Sequence, residues 1–248
     1  MKWRKVFAAT AAMAALTLTA GAVTACSSDD DNGGTLRVMA AASLVDVMDP
    51  LSDAYRDSHD GTDVKVDAAA SSALVQRLKS GAPADVLITA DTATMDQAVQ
   101  DGLVSDPVIV ATNKLVIVVP KGNPGEVTGL DFFTQAGNRS VICASEVPCG
   151  RAAEKAITAI GGQPHPVSRA VDVRAALGSV TSGEADAALV YQTDAASAGD
   201  KVEVIEIPDA PVNEYPAASL SDSGREFVEL LTSEQGKKIL TDAGFGTP

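Results

Sequence analysis

Histidine is nearly missing from this chain, which has two in 248 residues, His59 and His165. The first sits in a polar Asp-Ser-His-Asp turn and the second between two prolines, and neither falls in a metal-ligand spacing. A Ser-His-Asp hydrolase would need one of them as its base, and no Gly-x-Ser-x-Gly elbow is present. The glycine patterns of phosphate-binding and dinucleotide-binding loops are missing as well. Tryptophan is reduced to Trp3, and aromatic residues make up 4% of the chain. Positive charge is also short, with 19 Lys and Arg against 33 Asp and Glu. Such acidity excludes nucleic acid as a natural partner and means that any anion bound here is held by local dipoles.

The one long apolar run is at the N-terminus. Lys2, Arg4 and Lys5 precede an Ala/Leu/Thr-rich stretch from Val6 to about Ala20, which ends in Val23-Thr24-Ala25-Cys26. This is the pattern of an export signal, and the threonines and small residues distinguish it from a membrane span. Its ending resembles a bacterial lipobox, which makes Cys26 the new N-terminus and the site of lipidation; ordinary cleavage near Ala25 is the alternative. Ser27 to Gly34 then reads SSDDDNGG, a solvated acidic tether. Removal of residues 1–25 takes three of the basic residues and none of the acidic ones, so the exported chain is 17 charges negative. Two cysteines remain, Cys143 and Cys149. In an exported chain they are expected to form a disulfide closing a short loop, the alternative being two buried thiols.

From residue 35 onward apolar strands alternate with amphipathic helices, the mark of an α/β protein with mostly parallel sheets. Leu36–Ala40 predicts a strand, and Leu44, Val47, Met48, Leu51 and Tyr55 predict the buried face of a helix. Val64–Val66, then a helix through Leu74, Val75 and Leu78, repeats the unit, and Val86–Ile88 with Met95, Ala98 and Val99 repeats it again. Val108–Val110 and Leu115–Val119 read as two β-rich runs separated by Ala-Thr-Asn-Lys, where the chain could pass between lobes. Further strands are expected at Val141–Cys143, Ala187–Tyr191 and Val202–Ile207, and helices at Gly150–Ile160, Val173–Val180 and along the C-terminus to Gly244.

Ser43 and Ser71 occupy equivalent places, each after a strand and a run of alanines at the start of a helix. The plain reading is that both are helix N-caps. Small residues before a helix N-terminus also let a ligand reach unpaired N–H groups, where the helix dipole favours an anion.

Five segments carry a more specific likeness: Ala40-Ala41-Ala42-Ser43-Leu44, Ala70-Ser71-Ser72-x-Leu74, Gly81-Ala82-Pro83-Ala84-Asp85-Val86, Asp172-Val173-Arg174 and Leu189-Val190-Tyr191-x-x-Asp194-Ala195. In this order, with Tyr215-Pro216 and Gly244-Phe245, the set resembles the molybdate-binding proteins of ABC importers. The resemblance implies a type II periplasmic-binding-protein fold of two α/β lobes, residues 35–112 with 214–248 and residues 113–213, with the ligand in the cleft between them. It implies molybdate or tungstate as the ligand, no cofactor and no enzymatic activity. It also implies a monomer on the outer face of the membrane, serving the permease and ATPase of an importer. Carried over by motif, Ser43 and Ser71 each supply a hydroxyl and an amide, Cys149 and Val173 an amide each, and Tyr191 its phenol. Cys149 departs from the family pattern, where a small residue such as alanine is typical, but an amide donates whatever the side chain. The pattern turns Arg174 elsewhere. Competing expectations are a receptor for sulfate, phosphate or a small carboxylate, an exported serine hydrolase using Ser71, and a sensor or structural lipoprotein.

Overall fold

The structure, a computed structural model, describes residues 34–248; the export signal, Cys26 and most of the tether lie outside the described residues. The strands are β1 Thr35–Ala41, β2 Asp63–Ala69, β3 Val86–Ile88, β4 Val108–Pro120, β5 Ser140–Cys143, β6 Ser168–Ala170, β7 Ala187–Tyr191, β8 Val202–Ile205 and β9 Val212–Ser219. The helices are α1 Val45–Arg56, α2 Ser71–Lys79, α3 Thr92–Gln100, α4 Pro148–Ala159, α5 Val173–Thr181, α6 Gln192–Ala198, α7 Asp222–Thr232 and α8 Glu234–Asp242. Among the described residues no helix is long and apolar enough to cross a membrane.

Strand β1 pairs in parallel with β2 and β3, and β5 pairs in parallel with β6 and β7. Such strands are covered on both faces, which is why they read as apolar runs. In β1, Leu36, Val38 and Ala40 enter the main core, while Met39 points the other way to meet Leu74, Val75 and Met95 of α2 and α3. The period of two thus serves two helix layers at once.

The two sheets are joined by β4. The runs Val108–Val110 and Leu115–Val119 belong to one strand of 13 residues, with a register shift between Ile109 and Ala111. Its first half pairs antiparallel with β9, which also borders β3, and its second half with β7 and β8. The intervening Ala-Thr-Asn-Lys stays extended because β9 lies alongside, with Thr112 opposite Glu214 and Asn113 opposite Asn213.

Two local features hold the elements around Tyr191 and Cys149. At the start of α6 the Asp194 carboxylate reaches back to the Tyr191 N–H at 3.3 Å. Arg174 lies 3.5 Å from the same carboxylate and donates to Asp46 at 2.7 Å and Ser197 at 2.8 Å. At the start of α4, Gly150 lies so close to the strand exit that a Cβ would run into the carbonyl oxygen of Ala144. Gly178 inside α5 has open space around its Cα.

Gly150→Ala should therefore destabilise the protein by about 1–3 kcal/mol through a forced shift at the Cys149 loop. Gly178→Ala should stabilise it by about 0.5–1 kcal/mol, since only the backbone-entropy penalty is removed; thermal melts of the two variants check both signs. Burial raises the Asp194 carboxyl from 3.8 to about 7, against the opposing pull of Arg174. A folded state that holds this proton more tightly than the unfolded chain gains stability below about pH 4 and loses it as pH rises through about 7. Asp194→Asn should accordingly flatten the fall in melting temperature across that window, and an unchanged slope would mean that Asp194 is ionised throughout.

Candidate functional site

The alanine runs after β1 and β2 and the first turns of α2, α4 and α5 open onto one cavity. It is lined by Ser43, Ser71, Cys149, Val173 and Tyr191 together with alanines 41, 42, 70 and 90, Val147, Pro148 and Asp172. All five residues singled out in the sequence are brought together, none more than 4% exposed. The cavity measures about 20 Å³, room for one small solute and far below the several hundred cubic ångströms that an organic cofactor or nucleotide occupies.

The chain reaches this point by the same device several times. Parallel strands deliver helix N-termini to the carboxyl edge of a sheet, where ligands of open α/β folds are bound. Ser71 is the first residue of α2, Cys149 the second of α4 after Pro148, and Val173 the first of α5. Amides of a first turn have no acceptor within their own helix, and at each of these corners they carry the positive end of the helix dipole. Ser43 lies in a short 3₁₀ turn, residues 42–44, that leads into α1. Tyr191 closes β7.

The plain reading of the two serines, that they cap helices, is not how the structure uses them. Neither hydroxyl makes a capping bond, and the cap positions belong to Ala41 and Ala70. The Ser43 hydroxyl instead pairs with the Tyr215 phenol at 2.8 Å, and the Ser71 hydroxyl accepts the Ala90 N–H at 3.0 Å. The Tyr191 oxygen accepts from the Asn213 amide at 2.9 Å. Burial, then the neighbouring Tyr215 and Asp91, push the Tyr191 phenol well above its ordinary value, so it keeps its proton. Tyr215 is pushed up as well, again chiefly by burial.

No Lys or Arg lines the cavity. Arg174 is turned to Asp46 and Ser197, and Arg151 of α4 is turned to Asp91 at 2.7 Å and Thr94 at 2.6 Å. Asp172 is the one acidic residue in the lining, and its carboxylate is used to cap α5, accepting from the Ala175 N–H at 2.8 Å. His59 is stacked on Tyr55 with ring centroids 3.9 Å apart and pairs with Glu226. Cys143 and Cys149 are joined by a disulfide with Cα atoms 5.7 Å apart, tying the end of β5 to the first turn of α4.

Asn113, Asn213 and Tyr215 back the cavity, and only Tyr215 drew notice in the sequence, as part of a motif. A buried asparagine within a strand has no periodic signature. The available signal was the interruption of an otherwise apolar run at Asn113.

Comparison with known proteins places this geometry. The model of the bacterial extracellular solute-binding protein family matches residues 36–246. Molybdate-binding protein ModA of Mycobacterium tuberculosis is 37% identical over 219 residues, covering 85% of this chain and 84% of that protein. A putative ABC transporter substrate-binding lipoprotein of Bacillus subtilis, YvgL, is 28% identical over 249 residues, covering 95% of each. The periplasmic molybdate-binding protein of Azotobacter vinelandii has the same periplasmic-binding-protein fold, with a TM-score of 0.73 at 20% identity over 86% of this chain and 99% of that one. With its family model spanning nearly all of the described residues, the chain belongs to the bacterial extracellular solute-binding proteins.

Proposed function

We propose that this protein captures molybdate or tungstate outside the cell and delivers it to the permease and ATPase of an ABC importer. The observation that carries the reading is the meeting of Ser43, Ser71, Cys149, Val173 and Tyr191 at one cavity of about 20 Å³ without a cationic side chain. Its lining offers N–H and O–H donors, the complement of a small tetrahedral oxyanion. The two serines each give a hydroxyl and an amide, Cys149 and Val173 each an amide, and Tyr191 its phenol. The relatives named for molybdate support the choice among oxyanions, and the lipoprotein name of the Bacillus relative supports a tether through lipid on Cys26.

Seven bonds of this kind to a charged acceptor, at about 1.5–3 kcal/mol each, give a gross gain of about 10–20 kcal/mol. Association and closure subtract at least about 4 kcal/mol, which leaves at most about 6–16 kcal/mol, a range that extends into submicromolar binding. Neutral donors do not attract every anion by charge, and a rigid cage sized for long metal–oxygen bonds cannot shrink to follow sulfate.

The lobes of this reading are residues 35–112 with 214–248 and residues 113–213. Support comes from the two crossing strands, which run paired at Thr112–Glu214 and Asn113–Asn213, and from arginines bridging the cleft. Arg151 reaches Asp91 and Thr94, and Arg174 reaches Asp46. These pairs hold the lobes shut over the anion.

Calorimetric titration with molybdate, tungstate, sulfate and phosphate should give tight binding for the first two alone; tighter sulfate or phosphate binding would replace the proposed ligand. Ser43→Ala and Ser71→Ala should each weaken molybdate binding about 10- to 150-fold, and binding like the parent in both would place the oxyanion elsewhere. Arg151→Ala touches no ligand atom in this scheme. It should raise the release rate several-fold in stopped-flow measurements while leaving the association rate near the parent value, and an unchanged release rate would discard the latch.

A further inference from the structure

We propose that Asn113 and Asn213, opposite one another on the crossing strands, are positioning residues that aim the cavity's hydroxyl protons inward and so select oxyanions carrying no proton of their own. The inference rests on the oxyanion site proposed above and goes beyond it by saying what rejects a protonated anion of the same shape.

Asn213 is buried, at 9% exposure. Its terminal nitrogen lies 2.7 Å from the Ala90 carbonyl oxygen and 2.9 Å from the Tyr191 oxygen. A carbonyl oxygen only accepts, so the amide cannot be flipped: the flip would set two acceptors face to face at 2.7 Å. One N–H is spent on Ala90 and the other points at the phenol. A phenol oxygen has two favoured positions in the plane of its ring. With a donor at one of them, its proton takes the other, and Tyr191 lines the cavity.

Asn113 is fixed with the same certainty of direction. Its oxygen accepts the Lys114 N–H at 3.0 Å, so its nitrogen faces Thr193 at 2.8 Å and the Tyr215 phenol at 3.4 Å. Tyr215, receiving that N–H, turns its own proton to Ser43 2.8 Å away. Ser43 is then left with its proton for the cavity. Ser71 accepts the Ala90 N–H at 3.0 Å, and a backbone N–H can only donate, so its proton too is free to face inward. The backbone of Ala90 thus orients two walls, its N–H directly through Ser71 and its C=O through Asn213 and Tyr191.

The one acidic acceptor in the lining, the Asp172 carboxylate, is engaged in capping α5; from the serines and the tyrosine, donation runs from scaffold to cavity. Molybdate, tungstate, sulfate and selenate are unprotonated near neutral pH and fit such a lining. Phosphate and arsenate keep a proton there and would set O–H against O–H, with the Tyr191 lone pair already taken. Discrimination by protonation is therefore separate from discrimination by size.

Selenate and arsenate, nearly equal in size, isolate this effect. Their dissociation constants are measured at pH 8 by displacement of molybdate from the parent and from Asn213→Leu, Asn113→Leu and Tyr215→Phe, with melting temperatures alongside. The parent should prefer selenate at least about tenfold. Each variant should lose selenate affinity about 5- to 15-fold and arsenate affinity much less, so that the ratio narrows. A parent without the preference, or variants in which both affinities fall together at a constant ratio, would overturn the positioning role and leave Asn113 and Asn213 as structural residues. Should Asn213→Leu fail to fold, the other two variants decide. A parent that binds no tetrahedral oxyanion at all, molybdate included, would instead remove the site itself.

Discussion

A doubly charged anion leaves water only where donors meet each of its oxygens, and in a cavity without Lys or Arg those donors have to be dipoles held still by the fold. That constraint accounts for most of the architecture. Single amide dipoles are weak, so several must be aimed at one point, and parallel strands followed by helices are an economical way of aiming them. Here α2, α4 and α5 start at the cavity, the turn before α1 adds Ser43, and β7 adds Tyr191. The residues before Ser43 and Ser71 are alanines, and a larger side chain at those two places would fill the space the solute needs. The disulfide and Gly150 belong to the same constraint: both hold the first turn of α4 against the end of β5, which fixes the Cys149 amide.

Preorganisation also explains why polar groups behind the cavity are buried at all. A buried amide or phenol costs stability unless paired, and Asn113, Asn213, Tyr191 and Tyr215 are each paired with one another or with backbone. An apolar backing would serve the core equally well but leave the hydroxyls free to rotate. Their entropy would then be lost at the moment of binding and not during folding.

Much of this was legible in the sequence. Strands β1, β3, β5 and β7 and helices α1 to α5 followed from period and composition because each buries an apolar face, the signal that periodicity reports. The elements passed over lack it. Strand β9 carries Pro216 between short apolar steps, β6 is a three-residue edge, and α6 reads Gln-Thr-Asp-Ala-Ala-Ser-Ala with no large apolar residue. The two halves of β4 read as separate because Asn113 and Lys114 interrupt the apolar run, although a strand is continued by its partner as much as by its own residues. Among the site residues, Ser43 and Ser71 stood out by their repeated context, whereas Cys149, Val173 and Tyr191 entered only through the family resemblance. An amide donor leaves no mark in the identity of its residue, so a site built from backbone is the kind that residue chemistry reveals least.

The acidity of the chain fits this design. A chain with a formal net charge of −14 does not draw an anion in from a distance, because its overall field opposes approach. Salt outside the cell screens that field within about 8 Å, while the cavity amides act at hydrogen-bond range, where screening does not reach. Long-range repulsion and short-range capture therefore act on different scales. Anions in general are discouraged by the field, and the one that fits is retained by geometry. A cationic site would have reversed the arrangement, gathering every phosphate and carboxylate in the medium before shape could discriminate. The neutral cage leaves selection to size and to the direction of each hydroxyl proton, and it asks of the scaffold a rigidity that the disulfide, the Ala90 backbone and the paired asparagines supply.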